Sequence, residues 1–262
     1  FDISGGHVAS TDMSITDGTS IDFNTAMAND SFITFAQAAP APGGVASNLQ
    51  LWLKADEGTS SLVDSALLSE WQDQSFSNNH AVQPTSGNQP RYSTSRLLNY
   101  NPSIDYETAA NNANKDFFDI NNITDVKSSF WIGLNDRPTA NFIHFLYNAD
   151  GPSVANTFHG GAAGSVENFN TGGATWRYNG AIGSINSKWS GGTDLFSAQA
   201  GTVDFVAANI GGHQSSKPGR NWDGLMGEVI LYDVNLSSGE IGQIESYQIG
   251  RASCRERVCH RV

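Results

Sequence analysis

Short strand-like segments separated by turn residues constrain the fold of this chain more than any other feature. Leucines stand at every second position from Leu49 to Leu53, as in a strand that buries one face. Further segments of this kind follow at the spacing typical of β-sandwiches: residues 128–134, 141–148, 174–180, 204–212 and 225–233. No helix-period segment interrupts them. The sequence therefore disfavours βαβ architectures and predicts an all-β fold.

The N-terminal stretch carries similar short apolar alternations, such as Met13 with Ile15. About forty residues are too few for an independent sandwich. We therefore predict that residues 1–39 are the end of a preceding β domain. The alternative is that they add strands to the domain that follows. Residues 40–47 are predicted to be a linker, because proline cannot continue a strand ladder.

One helix is signalled near the C-terminal end. Ser237 and Glu240 have the spacing of a capping box, in which each side chain binds the other residue's backbone amide. Ile241, Ile244 and Tyr247 then share one helical face. The sequence predicts a short C-terminal helix with this face packed on the sandwich.

Charge and composition exclude several partners. The chain has 14 Lys and Arg against 26 Asp and Glu, a formal net charge of −12, and residues 1–248 lack the clustered cations that nucleic acids require. No apolar run is long enough to span a bilayer. Residues 1–248 contain no cysteine, so disulfides cannot hold the fold together. Low lysine, abundant Asn, Thr and Gly and an acidic balance are typical of exported bacterial surface proteins, which predicts an extracellular or cell-surface location.

Four blocks of the chain resemble one family in their order and spacing: residues 43–59, 69–92, 99–106 and 222–247. They resemble the laminin-G-like, concanavalin A-like domains of bacterial surface proteins. The last block, with its pattern G-x-x-x-E-V-x-x-Y-x-x-x-L-S-x-x-E-I, is the most specific. The resemblance implies a two-sheet antiparallel jelly-roll sandwich over residues 48–248 with the helix at its edge. It also implies a binding or adhesion module with flanking domains in a large exported protein.

A structural calcium ion is the cofactor that the resemblance raises, and two residues depart from the pattern. Phe76 stands where the family usually has glycine, and Gly227 stands where many relatives have a calcium-binding carboxylate. Residues 73–79 are rich in the oxygen ligands that suit Ca²⁺. The same side chains could instead form an Asx-turn network, which we favour. We expect Glu228 to be a buried, hydrogen-bonded carboxylate and assign no metal ligand.

The sequence lacks the patterns of a catalytic site. A glucanase on this fold commonly carries Glu-x-Asp-x-x-Glu on one strand, whereas the adjacent Asp56 and Glu57 would point to opposite faces. There is no Gly-x-Ser-x-Gly and no His-Glu-x-x-His motif. The sandwich histidines are widely separated, and we interpret them as structural or solvent-facing: His80, His144, His159 and His213. We therefore predict no enzymatic activity.

Aromatic side chains in polar and glycine-rich stretches are the candidate carbohydrate-binding residues. Their flat faces suit the apolar side of a sugar ring, and Trp and Tyr also carry a hydrogen-bond donor. The candidates are Trp176, Tyr178, Trp189 and Trp222. We expect Trp189 and Trp222 to be exposed. Trp176 and Tyr178 share a strand face that is either core or binding surface, with core favoured.

The predicted function is a non-catalytic binding or adhesion module for a glycan or a surface protein. A structural spacer without its own ligand is the first alternative, and a degenerate glycoside hydrolase-like domain is the second. Burial of the candidate aromatic residues would favour the spacer. Two carboxylates about 5–5.5 Å apart in a groove would favour the hydrolase.

The last residues differ in character from the rest. Residues 249–258 resemble, at all ten positions, the translation of a widely used short-read sequencing adapter. We therefore expect the protein's own sequence to stop near Gln248, and residues 249–262 to be unstructured or to extend the helix. Cys254 and Cys259, both in this tail, receive no functional assignment.

Overall fold

The computed structural model divides the chain into two compact units, Phe1–Ala39 and Pro40–Val262. It describes residues 13–15, 21–23, 41–107, 116–138, 144–147, 157–160, 166–169, 173–182, 190–212 and 220–253. In the first unit, β1 (Met13–Ile15) pairs antiparallel with β2 (Ile21–Phe23). That this hairpin ends a preceding β domain stays a prediction.

The second unit is built from short strands and a C-terminal helix. Its strands are β3 (Leu49–Lys54), β4 (Glu70–Trp71), β5 (Ala81–Val82), β6 (Arg91–Leu98), β7 (Asn101–Tyr106), β8 (Phe118–Val126), β9 (Ser128–Asn135), β10 (His144–Tyr147), β11 (Thr157–Gly160), β12 (Val166–Phe169), β13 (Thr175–Tyr178), β14 (Ala181–Ile182), β15 (Asp194–Gln199), β16 (Phe205–Ile210) and β17 (Gly224–Tyr232). Helix α1 spans Ser238–Ser253. Short 3₁₀ turns lie at Pro42–Gly44 and Ser86–Asn88.

The strands form two antiparallel sheets. One has the order β12-β11-β10-β16-β8-β5-β4, and the other has the order β14-β13-β15-β9-β17-β7-β6 with β3 also paired to β17. The predicted all-β sandwich with a C-terminal helix is thereby confirmed. The jelly-roll topology within it stays a prediction. Within the described residues, no helix is long and apolar enough to cross a lipid bilayer.

Strand β17 organises its sheet. Its first half pairs with β7 and its second half with β3, while β9 runs along the other side. The register shifts between Met226 and Glu228, which makes Gly227 a bulge. Gly224 has φ +132°, and a Cβ there would lie 2.1 Å from the Leu134 carbonyl oxygen. Only glycine fits that position.

The main core lies between the sheets and contains a stack of aromatic rings. The Trp131 ring lies 3.7 Å from that of Phe145 and 4.2 Å from that of Phe196. Alternate residues of β9 face opposite ways, so Phe130 belongs to a second cluster with Ile241 and Ile244 of α1. Both faces of β9 are thus buried, which explains its nearly continuous apolar sequence.

Helix α1 begins at the predicted capping box. Ser237 Oγ accepts a hydrogen bond from the Glu240 amide at 3.4 Å, and Glu240 Oε2 accepts one from the Ser237 amide at 2.8 Å. Further along, the buried Glu245 carboxylate accepts hydrogen bonds from Arg177 Nε and Ser197 Oγ, each at 2.8 Å. The helix is therefore fixed to the sheet by polar contacts as well as by its apolar face.

The helix continues past Gln248 as far as Ser253. The start of the adapter-like tail thus extends the helix, one of the two conformations expected for it. Residues 254–262 lie outside the described residues. At the other end of the unit, part of the predicted linker packs on the same helix: a Cβ on Gly43 would lie 2.7 Å from the Gln243 backbone.

Candidate functional site

Two of the candidate sugar-binding residues lie together on β13. Trp176 is buried in the main core, and half-buried Tyr178 packs against it. The Tyr178 hydroxyl donates a hydrogen bond to Asp194 Oδ1 at 2.6 Å. Burial and this neighbouring carboxylate raise the pKa of Tyr178. Of the two interpretations of this strand face, the structure supports core packing.

The expected exposure of Trp222 is wrong. Its side chain is 0% exposed, with its ring edge-on to Trp131 at 5.5 Å and to Phe145 at 5.8 Å. The polar residues around Trp222 indicate a surface turn. The free energy gained by burying an indole ring nevertheless outweighs the preference of these neighbours for solvent. Trp189 lies outside the described residues. The described candidates therefore form no open aromatic surface.

The loop at residues 73–79 is the predicted Asx-turn network. Asp73 Oδ1 accepts hydrogen bonds from the amides of Ser75 at 2.9 Å and Trp52 at 2.8 Å. Asp73 Oδ2 accepts hydrogen bonds from Ser75 Oγ at 2.6 Å and from the Asn79 amide at 2.9 Å. These donors occupy the carboxylate that a cation would need. Within the described residues, no group of three His, Cys, Asp or Glu side chains could hold a metal ion.

Phe76 lies at the exposed tip of this loop, where the family pattern has glycine. His80 has a structural contact, because its Nδ1 accepts a hydrogen bond from the Asp73 amide at 3.0 Å. His144 and His159 are opposite one another in the pairing of β10 with β11. His213 lies outside the described residues.

Glu228 is the buried, hydrogen-bonded carboxylate that the sequence predicts. It is 2% exposed, and its Oε1 accepts hydrogen bonds from Trp52 Nε1 at 2.8 Å and the Tyr247 hydroxyl at 2.9 Å. Its Oε2 accepts one from Gln248 Nε2 at 3.2 Å. These bonds connect β17 to β3 and to α1. The residue therefore stabilises the packing of the helix on its sheet.

A polar cavity that sequence reasoning missed is a further candidate site. It has a volume of about 390 Å³ and lies beside the hairpin formed by β6 and β7. Its lining residues are Leu67, Ser86, Gly87, Gln89, Arg91, Arg96, Asp105, Tyr106, Glu107, Asp116, Asp136 and Asp223. They come from segments far apart in the chain. The one local signal was the recurrence of acidic residues just beyond strand ends, as at Glu107 and Asp136.

Arg96 organises one side of the cavity. Its Nη1 lies 2.7 and 2.9 Å from the Asp105 carboxylate oxygens, and its Nη2 lies 2.6 Å from Asp136 Oδ2. Burial nevertheless raises the pKa of Asp105, although Arg96 acts in the opposite direction. Asp223, also in the lining, lies 2.8 Å from Arg137 Nε.

Asp116 and Tyr106 form a more secluded part of the lining. Asp116 is 6% exposed, and its Oδ2 accepts a hydrogen bond from the Glu107 amide at 2.9 Å. Burial raises the pKa of Asp116 to about 7. Burial and the Asp116 charge likewise raise the pKa of Tyr106. Gly211 lies against both residues, because a Cβ there would lie 2.6 Å from the Tyr106 ring and 3.1 Å from the Asp116 carbonyl oxygen.

Two carboxylates of the cavity are not placed as the acid and the base of a glycoside hydrolase. Hydrolysis by this fold requires one carboxylic acid and one free carboxylate on either side of the scissile bond. Asp105 and Asp136 are instead held by the same guanidinium group. The cavity offers many hydrogen-bonding groups in a partly open, concave space, which is what a polar ligand needs.

Comparisons with known proteins returned no match to any protein-family profile, to any curated protein or to any solved structure.

Proposed function

We propose that this chain is a non-catalytic binding module and that the polar cavity beside β6 and β7 is its ligand site. The cavity carries this proposal, because its volume of about 390 Å³ falls in the range of small-ligand pockets, about 300–1,000 Å³. Its carboxylates and guanidinium groups match the hydroxyl and amine groups of glycans and of protein surfaces. The resemblance to laminin-G-like domains supports adhesion as the role and the bacterial cell surface as the place.

A structural spacer is the second candidate function. Burial of Trp176 and Trp222 favours it, because neither ring can stack on a sugar while it fills the core. The spacer predicts no ligand at all, whereas the binding module predicts one that occupies the cavity. The two proposals therefore differ in a single measurable outcome.

A cavity-filling substitution tests the binding module. Gly87 lines the cavity, and a Cβ at this position would meet no atom within 4 Å. Gly87→Leu should therefore place an apolar side chain at the cavity wall without straining the fold. The matched control is Gly242→Leu on the exposed face of α1, where a Cβ also meets no atom within 4 Å.

The assay is a glycan array and a panel of surface peptides, probed with the whole chain with and without calcium. We expect at least one ligand whose affinity falls about tenfold or more in Gly87→Leu and is unchanged in Gly242→Leu. Equal binding by both variants would place the ligand elsewhere and refute the proposed site. No binding by the unmodified chain would favour the spacer.

A further inference from the structure

The turn between β13 and β14 carries a chemically reactive pair, Asn179 and Gly180, the one Asn-Gly sequence in the chain. An asparagine followed by glycine loses its side-chain amide readily. The reason is that glycine has no Cβ to hinder attack by its amide nitrogen on the neighbouring side chain. Asn179 is exposed, so the water that the reaction needs can reach it. Whether the pair reacts therefore depends on the conformation of the turn.

The folded turn holds the two reacting groups apart. Asn179 has φ +49° and Gly180 has φ +79°, and positive φ at both central residues is the mark of a type I′ hairpin turn. Deamidation closes a small ring, so Asn179 Cβ and the Gly180 nitrogen must lie on the same side of the Asn179 Cα–C bond. In the left-handed conformation of a type I′ turn they lie on opposite sides. The ring can therefore form only after the turn opens.

Contacts with β15 keep the turn closed. The Asn179 amide donates a hydrogen bond to the Leu195 carbonyl at 2.9 Å, and the Leu195 amide donates one to Asn179 Oδ1 at 2.8 Å. Asn179 Nδ2 also lies 3.4 Å from Asp194 Oδ1. The turn reacts only in the fraction of molecules in which these contacts are broken. The reaction rate in the folded protein is therefore the rate in an open chain multiplied by that fraction.

We propose that Asn179 is a site of spontaneous deamidation that reacts when the turn between β13 and β14 opens. In the opened turn, the Gly180 nitrogen forms a bond to Asn179 Cγ while the bond from Cγ to Nδ2 breaks. The proton of the Gly180 nitrogen passes through solvent to Nδ2, which leaves as ammonia. Water then opens the cyclic imide at either carbonyl and gives aspartate or isoaspartate. The reaction needs no reagent besides water, and it is not reversed.

Either product is held less well on β15. Aspartate at position 179 places a negative charge close to Asp194, whose side chain is 0% exposed. Two carboxylates at this separation repel each other, and burial strengthens the repulsion. Isoaspartate lengthens the backbone of the turn by one carbon, which disturbs the pairing of Tyr178 with Ala181. Deamidation should therefore loosen β13 and β14, the two strands at one end of their sheet.

Mass spectrometry of the whole chain, aged at mildly alkaline pH, tests the site. Trypsin cleaves after Arg177 and Lys188 and releases residues 178–188, so the product at position 179 is found in one peptide. The reference is a synthetic peptide of residues 175–188, which has no sheet to hold its turn closed. We expect aspartate and isoaspartate to form at position 179 about ten- to a hundredfold more slowly in the folded chain than in the peptide.

Two variants separate the reaction from its consequence. Asn179→Gly keeps a residue suited to positive φ and has no side-chain amide, so no acidic product should form at this position. Asn179→Asp imitates one product, and hydrogen exchange of the backbone amide at position 179 should become about three- to tenfold faster. Asn122→Asp is the matched control, because it makes the same change of charge at an exposed position of β8. It should leave that exchange rate unchanged.

Three results overturn the inference. Equal rates in the folded chain and the peptide would show that the turn does not control the reaction. The same holds if the folded chain forms no product at position 179 after about a hundred half-lives of the peptide. Equal exchange rates in Asn179→Asp and Asn122→Asp would show that the product stays fixed to β15. These experiments do not involve the cavity, so their failure leaves the proposed binding module untouched.

Discussion

Replacing Asp116 by asparagine should raise the stability of the folded protein at alkaline pH and change that stability little at acidic pH. Asp116 is buried in the cavity wall, with a folded-state pKa of about 7 against an ordinary value of 3.8. Below pH 3.8 the carboxyl is protonated in both the folded and the unfolded chain. As the pH rises, the unfolded chain releases its proton first. The folded state therefore loses stability until the pH passes about 7.

The size of the effect follows from the gap between the two pKa values. A difference of about three pH units corresponds to about 4 kcal/mol in the free energy of unfolding, because each unit is about 1.4 kcal/mol. Asparagine retains an oxygen that can accept the Glu107 amide and carries no charge at any pH. We expect Asp116→Asn to be about 2–4 kcal/mol more stable than the unmodified chain at about pH 8, and within about 1 kcal/mol of it at about pH 4.

Urea unfolding followed by tryptophan fluorescence at several pH values measures this difference. Asp125→Asn serves as the control, because it makes the same change of net charge at an exposed position of β8. The pH dependence of its stability should match that of the unmodified chain. The reasoning is refuted if Asp116→Asn and Asp125→Asn show the same pH dependence, or if Asp116→Asn is less stable at alkaline pH.

Three further substitutions test the packing around the site, each by urea unfolding. Ser237→Ala removes the N-cap of α1 and should lower the free energy of unfolding by about 1 kcal/mol. Ser86→Ala should lower it little, and equal effects of the two substitutions would contradict the capping role. Trp222→Ala should lower the free energy of unfolding by about 3–5 kcal/mol, because it leaves a void beside Trp131. A decrease below about 1 kcal/mol would show that the ring is not buried. Glu228→Gln should lower the free energy of unfolding by about 1–3 kcal/mol, because the amide group of glutamine cannot accept hydrogen bonds from all the donors around it. Glu57→Gln, at an exposed position, should have no such effect.

The sequence predicted the features that depend on neighbours in the chain. The capping box of Ser237 and Glu240 and the Asx turn of Asp73 form within a few residues, so their spacing alone indicates them. Strands β3, β9 and β17 were predicted within a residue or two of their bounds, because their apolar side chains fill a buried face. Strand β8 was missed. Its buried residues are Phe118, Ile120, Ile123 and Val126, and irregular pairing with β16 breaks the alternation that identifies a strand.

Tertiary structure alone decided the burial of Trp222 and the existence of the cavity. Trp222 reaches the core by packing on Trp131 and Phe145, which are distant in sequence. Arg96 likewise meets Asp105 across the hairpin and Asp136 from another strand end. A local pattern records the propensity of a segment and the face that it buries. It does not record which segments meet, because that depends on the order in which strands pair and on the free energy gained when distant side chains leave water together.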